Sequence, residues 1–172
     1  VKTRPDWLPP LANVAGPIEI VVPQLYAIFH HDIVSKRLKL NNCVLNWDRQ
    51  PREVFGFTYE ECFWHLVSRY RYMGTSAGSM KQRDFDPLRA ERLPWFAPTV
   101  KHADSDNVLV WDYLEKGRRR RTYVWLYDWD YVIVLEPKRL RKGMVYFIIT
   151  AYYVDGPATK KSLEKKYEKR CR

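Results

Sequence analysis

Several side chains along this chain are suited to acting on a phosphodiester without help from a metal. His65, in FTYEECFWHLVSR, is an imidazole that can take or give a proton near neutral pH. Helical spacing puts it in one row with Glu61 and Arg69, away from the apolar stripe, so the alternative is a solvated histidine. Arg89 and Arg92 stand three residues apart in LRAERL and share one face of a turn, where two guanidinium forks match phosphate oxygens. Asp86 and Glu91 lie in the same stretch and offer them surface ion pairs instead. Thr150 and Tyr152 place two hydroxyls on one side of the apolar run MVYFIITAYYV; in isolation they also read as ordinary strand residues. Lys160 and Lys161 open a tail in which seven cations face Glu164 and Glu168. Such a set suffices for metal-free RNA cleavage. A base removes the 2′-hydroxyl proton, the freed oxygen attacks the adjacent phosphorus, an acid protonates the departing 5′-oxygen, and cations stabilise the phosphorane. DNA lacks that nucleophile.

Other chemistries lack their apparatus. The chain has no glycine-rich phosphate loop, no paired cysteines and no HExxH motif, which argues against nucleotide hydrolysis and zinc chemistry. His30-His31-Asp32 offers no more than two side chains to any face, short of a metal site, and no carboxylate cluster suits magnesium. No metal or cofactor is expected. The formal charge of +10 points to a polyanionic partner, with nucleic acid ahead of an acidic protein and a membrane surface last. The 12 Tyr, 7 Trp and 7 Phe strengthen that reading, because single-stranded nucleic acids are gripped by aromatic faces and cations together. Cys43, Cys62 and Cys171 are odd in number and far apart, so a reducing, cytoplasmic setting is expected. No run reaches transmembrane length and the first residues do not read as a signal peptide. Opening on Val1 suggests a fragment of a longer protein.

The elements that must position these residues are those of an α+β fold, with N-terminal helices packed on a four-stranded antiparallel sheet in a single domain. Residues 1–22 form a proline-rich arm and 23–172 the domain, divided into a helical front (23–107), the sheet (108–154) and a basic tail (155–172). Residues 1–17 cannot be regular and are expected to drape over the core, pinned by Trp7. A helix is predicted from Pro23, with Leu25, Ile28, Phe29 and Ile33 inward. Leu38 to Leu45 reads as a hairpin turning at Asn41-Asn42, and Trp47 to Gly56 as irregular. The clearest helical period joins Tyr59, Cys62, Phe63, Leu66, Val67 and Tyr70, with Thr58 and Glu61 as a capping box. Gly74 to Ser79 is a flexible loop, either a lid or a connector. Asp86-Pro87 opens a short helix that Pro94-Trp95 closes. From Val108, VLVWDYL, RRTYVWLY, YVIVLE and MVYFIITAYYV form an antiparallel meander with cationic turns. Strict alternation puts Tyr146, Ile148, Thr150 and Tyr152 on one face of the last strand and Val145, Phe147, Ile149, Ala151 and Tyr153 on the core side. The tail reads as a short helix with Leu163 and Tyr167 inward.

In order, LYAIFHHDI, FTYEECFWHLVSR, DPLRAERLPWFAP, RTYVWLYDWDYVIVLE, FIITAYYVDG and the basic KKSLEKKYEKR end resemble the phage- and toxin-associated nucleases of the barnase–EndoU–colicin–RelE-like superfamily. The resemblance covers roughly residues 24 to 170. It implies a helical front on an antiparallel sheet, metal-independent ribonuclease activity, a toxin or phage-linked setting and a neutralising antitoxin or immunity protein, acidic in character. It carries onto His65, Arg89, Arg92, Arg121, Thr122, Thr150 and Tyr152. It also places a histidine shortly after the ITAY strand, where this chain has Ala158, either as an inactivating replacement or as a natural divergence. His65 is then the proton carrier, Arg89, Arg92 and Arg121 phosphate binders, Thr150 and Tyr152 groups at the scissile phosphate, and Arg69, Thr122, Lys160 and Lys161 further RNA contacts. Two other readings use the same residues: a non-catalytic RNA-binding module, and a basic interaction protein that docks an acidic partner.

Overall fold

The computed structural model of the chain describes residues 3–74 and 80–171. Its centre is a six-stranded mixed sheet in the order β1-β2-β10-β9-β8-β7, formed by Lys39–Leu40, Cys43–Asn46, Gly143–Tyr153, Tyr131–Leu140, Arg119–Leu126 and Val108–Glu115. The fold is α+β, as expected, but the four-stranded antiparallel sheet is corrected. The meander β7-β8-β9-β10 is present, and the hairpin β1-β2 extends it, with β2 running parallel to β10 through Tyr146↔Leu45 and Phe147↔Asn46. That hairpin turns at Asn41 and Asn42, both at positive φ (49° and 62°), the conformation a tight two-residue turn requires. Its buried Leu40 and Leu45 join the core, which is why the pair is held at the sheet instead of projecting from it.

Two further hairpins occupy the stretch expected to be helical or irregular. Pro51–Val54 (β3) pairs with Phe57–Glu60 (β4), and Ser68–Met73 (β5) with Met80–Phe85 (β6). Helix α2 is confined to Glu61–Val67 between them, so the capping box at Thr58 does not form. The spacing misled because Phe57 and Tyr59 fit a period of two as well: they stack on each other at 5.8 Å, and Tyr59 stacks on Tyr26 at 3.8 Å. Helix α1 spans Ile18–Phe29 and starts five residues before Pro23. The hydrogen bond that Pro23 cannot make would fall on the first-turn carbonyl of Glu19, an exposed residue, where solvent can take its place. Leu25, Phe29 and Ile33 are buried as the period demands. The Asp86 side chain caps α3 (Pro87–Ala90) at the Arg89 amide, and after a 3₁₀ turn the chain continues into α4 (Phe96–Lys101), so Pro94-Trp95 joins helices where a stop was expected. The N-terminal arm lies on this region: Trp7 stacks on His102 at 4.5 Å, Leu8 is buried, and Trp95 Nε1 donates to the Pro9 carbonyl. Of the predicted 74–79 loop, only Gly74 lies within the described residues.

Helices α1 to α4 cover one face of the sheet over a core that includes Phe29, Phe63, Trp64 and Phe96. The other face carries a second, aromatic core of Trp111, Tyr123, Trp125, Val132, Val134 and Val154, closed by Leu163 of α5 (Gly156–Glu168). Strand β10 serves both cores. It does so through a bulge at Ile149, because β9 partners pass from Ile148↔Leu135 directly to Thr150↔Val134. Strict alternation is therefore corrected: Tyr146, Ile148 and Ala151 pack on the helical side, and Ile149 and Tyr152 on the α5 side. One inserted residue re-aims the strand end. Among the described residues no helix is long and apolar enough to cross a membrane.

Leu163 is 3% exposed and is the main apolar link between α5 and the sheet. Leu163→Ala is expected to cost about 2–5 kcal/mol, measured by urea denaturation; a loss under about 0.5 kcal/mol would mean that α5 is not seated there.

Candidate active site

Helix α2 ends at Val67, and its last carbonyls have no partners within the helix. Arg89 of α3 fills that gap. Its Nη1 donates to the carbonyls of His65 (2.9 Å) and Ser68 (3.0 Å) and to Thr150 Oγ1 (3.2 Å), while Thr150 Oγ1 donates to the His65 carbonyl at 3.1 Å. Residues 61 and 85 positions distant are thereby drawn to one point. The Arg89 Nε is buried without a hydrogen bond, 3.7 Å from Asp86 Oδ2, and the guanidinium stands 5.9 Å from the Tyr152 ring centroid. Burial lowers the pKa of Arg89 from its high ordinary value, against the opposing charge of Asp86.

Two depressions share Arg89 and Tyr152. One, of about 420 Å³, is lined by Asp48, His65, Arg89, Ile149, Thr150 and Tyr152 among others; the other, of about 400 Å³, adds Arg69, Asp86, Asp155 and Thr159. His65, Arg69, Arg89, Thr150 and Tyr152, separate in sequence, thus line one composite cleft. The remaining candidates lie elsewhere. Arg92 binds the Leu88 carbonyl (2.7 Å) and Glu91 and covers the Tyr153 ring at 4.1 Å, which satisfies the ion-pair alternative. Arg121 pairs with Glu136, and the buried Thr122 donates to Asp112 at 2.6 Å, both on β8. Lys160 is paired with Asp130 at 3.0 Å. Lys161 and Ala158 are exposed on α5, and the α5 side chain that lines the cleft is Thr159.

His65 is held from behind by Glu61, its row neighbour at helical spacing, and by arginines around Glu61 that sequence reasoning missed. Its Nε2 lies 3.3 Å from Glu61 Oε1. Glu61 is buried, accepts from Arg52 Nε at 3.0 Å, and is joined by Arg83 Nη2. Arg83, itself buried, also reaches Ser68 Oγ at 3.1 Å and Tyr70 Oη at 2.8 Å. The available signal was the alternation of arginine and tyrosine in SRYRYM, a period of two that points to a strand; the cross-strand partner Arg83 then follows only from the register Tyr70↔Arg83.

These surroundings set the charges. Burial pushes the His65 pKa below its ordinary value; Arg83 adds to this and the Glu61 charge opposes it. The imidazole is therefore neutral at neutral pH and suited to accept a proton. Burial alone would raise the Glu61 pKa, but the Arg52 hydrogen bond, the Arg83 charge and, in the acid range where Glu61 titrates, the protonated His65 bring it below the usual carboxylate value. Burial raises the Tyr152 pKa against the pull of Arg89, so the phenol stays a hydrogen-bond donor. Among the described residues, no three His, Cys, Asp or Glu side chains converge to hold a metal ion. No protein-family model matches the chain, and no curated protein or solved structure does either.

Replacing Glu61 by Gln leaves Arg83 as an uncompensated buried charge, so Glu61→Gln is expected to cost about 3–5 kcal/mol at pH 7. Because the folded-state pKa of Glu61 is depressed, its contribution is present above the ordinary carboxylate pKa and is lost as pH falls through the folded value. The gap between wild type and variant in urea denaturation should therefore narrow in acid; a gap independent of pH would contradict the ion-pair account.

Proposed function

We propose that the chain is a metal-independent RNA endonuclease of toxin type, of the barnase–EndoU–colicin–RelE-like kind, which cleaves by attack of a 2′-hydroxyl on the neighbouring phosphate. The observation that carries this reading is the convergence of a neutral His65, the partly buried cation Arg89 and the hydroxyls of Thr150 and Tyr152 in one cleft. A base, a cation and a protonated donor are the parts that this reaction requires.

In this mechanism His65 takes the 2′-hydroxyl proton through its neutral imidazole. The freed oxygen forms a bond to phosphorus while the bond to the 5′-oxygen breaks. The 5′-oxygen takes the Tyr152 phenolic proton, which water replaces, and His65 returns its proton to solvent. The products are a 2′,3′-cyclic phosphate and a free 5′-hydroxyl. Arg89 stabilises the charge that builds on the phosphoryl oxygens, and Thr150 keeps Arg89 and the His65 backbone in register. Arg69, exposed at the rim, binds an adjoining phosphate. Arg92, Arg121 and Thr122 are structural in this scheme, since each is already engaged by a carboxylate. An enzyme of this type is harmful to its producer, and the net charge of +10 suits capture by an acidic neutralising protein.

The test is cleavage of a mixed RNA pool with EDTA present. Wild type is expected to cut RNA and spare DNA, and His65→Ala to lose about 10²–10⁴-fold in rate, the usual weight of one acid–base group. Arg89→Lys should retain less activity than its retained charge suggests, because Lys lacks the planar fork. The acid limb of kcat/KM should have its midpoint below the ordinary histidine value, because a base works only when deprotonated and burial keeps His65 so. Ala158→His tests whether the position one residue before Thr159 lacks a general acid: a higher rate would assign it that place. If wild type and variants all bind RNA and none cuts, the chain is an RNA-binding module; if none binds and an acidic protein is captured, it is an interaction protein.

A further inference from the structure

A wide depression lies outside the cleft just described, between the two hairpins that flank α2. It encloses about 1060 Å³ and is lined by Arg52, Phe55, Tyr70, Met73, Lys81 and Arg83 among others. The register of β5 and β6 pairs Tyr70 with Arg83 and Tyr72 with Lys81. Residues two apart share one face of a strand, so this hairpin presents a ladder of alternating rings and cations. The Arg83 guanidinium covers the Tyr70 ring at 4.2 Å, and Lys81 Nζ lies 5.7 Å from the Tyr70 ring and 5.5 Å from the Tyr72 ring. The ladder begins at the catalytic cleft, where the His65 and Tyr70 rings lie 6.4 Å apart. It ends at Tyr72, which is 65% exposed. Phe55, at the tip of the β3-β4 hairpin, is also exposed and held at a φ of 53°, a costly backbone for a bulky side chain. Arg52 and Arg83 are spent on Glu61. Among the described residues Lys81 meets no carboxylate, and Glu53 is the one acidic side chain among them that lines the depression.

We infer that this groove, continued past its lining by the exposed Tyr72 beside Lys81, binds the single-stranded RNA that flanks the scissile phosphate, with unstacked bases on Tyr70 and Tyr72 and a phosphate on Lys81. Two residues along a strand advance about 6.7 Å, roughly twice the 3.4 Å between stacked nucleotides. Bases seated on successive tyrosines must therefore be splayed apart, which a single strand allows and a duplex forbids. Ring faces accept any base, so the groove sets strandedness and not sequence. The inference rests on the endonuclease reading only for the direction of the strand toward His65.

The experiment measures binding of a fluorescent single-stranded hexauridylate to the His65→Ala protein, so that binding is read without cleavage. Adding Tyr72→Ala should weaken binding about 5- to 100-fold, whereas Tyr72→Phe should retain it. Adding Lys81→Ala should reduce the slope of log affinity against log salt by about 0.7, the share of one phosphate on a single strand. A duplex of the same length should bind more weakly and be indifferent to Tyr72→Ala. Thermal melts confirm that each variant is folded; Tyr72 is a surface residue and its loss leaves the core intact. Unchanged affinity in Tyr72→Ala, equal binding of duplex, or competition by polyglutamate as effective as by RNA would overturn the inference. Tyrosine-dependent RNA binding by a wild-type protein that cuts nothing would sustain it and remove the endonuclease reading instead.

Discussion

The partly buried guanidinium of Arg89 is the constraint on which the site depends. One nitrogen accounts for two carbonyls left over where α2 passes into β5, and for the Thr150 hydroxyl on the central strand. Without it the Ser68 carbonyl would lose this donor and the His65 carbonyl would keep only the Thr150 hydroxyl; a buried acceptor left unsatisfied costs about 1–3 kcal/mol. The residue that closes the α2 terminus is therefore also the cation of the cleft. A hydrophobic replacement would take this donor from both carbonyls, and a lysine would reach them with a different geometry. Because Nη1 is committed to the fold, the guanidinium plane is oriented by the folded chain alone. For the endonuclease proposed above this would be preorganisation in its physical sense: the cost of ordering the cation would be met during folding, not at the moment of reaction.

Around that point the chain assembles charge in pairs. Glu61 carries Arg52, Arg83 and His65, and Asp86 both caps α3 and faces Arg89. The same pairing neutralises much of the basic sheet and tail: Arg121 with Glu136, Arg120 with Asp112, Lys166 with Glu115, Lys160 with Asp130. A net charge of +10 therefore does not spread evenly over the surface. Cation-rich turns that look like phosphate contacts in the sequence are in part ordinary strand-to-strand ion pairs.

This separates what is legible in the sequence from what is not. The strands from Val108 to Val154 are legible because continuous β-branched and aromatic runs between turn signals have one economical solution. Leu163 and Tyr167 are legible in the same way, as an i, i+4 pair on the tail helix. His65, Arg89, Thr150 and Tyr152 can be nominated from residue type and resemblance, but their convergence depends on pairings between residues far apart in the chain, about which local periodicity is silent. Arg121 and Thr122 are indistinguishable from them at that level; their neighbours Glu136 and Asp112 make the difference. The β3-β4 hairpin was hidden because FTYE satisfies a helical and a strand period together. The parallel join of β2 to β10 leaves no local mark.

The bulge at Ile149 shows why the remaining step resists pattern reading. A strand with strict alternation would put Thr150 and Ile148 on the same face, and with Ile148 buried against the helices the hydroxyl would follow it into the core. One unpaired residue breaks that equivalence. Ile148 and Ala151 remain in the helical core, Tyr152 turns toward the α5 side, and Thr150 meets the end of α2 between them. A register irregularity is where a sheet can present polar groups without losing the apolar contacts on either side of them. The cleft sits at that irregularity because it is the place where β10 can serve two cores and still spare a hydroxyl for Arg89.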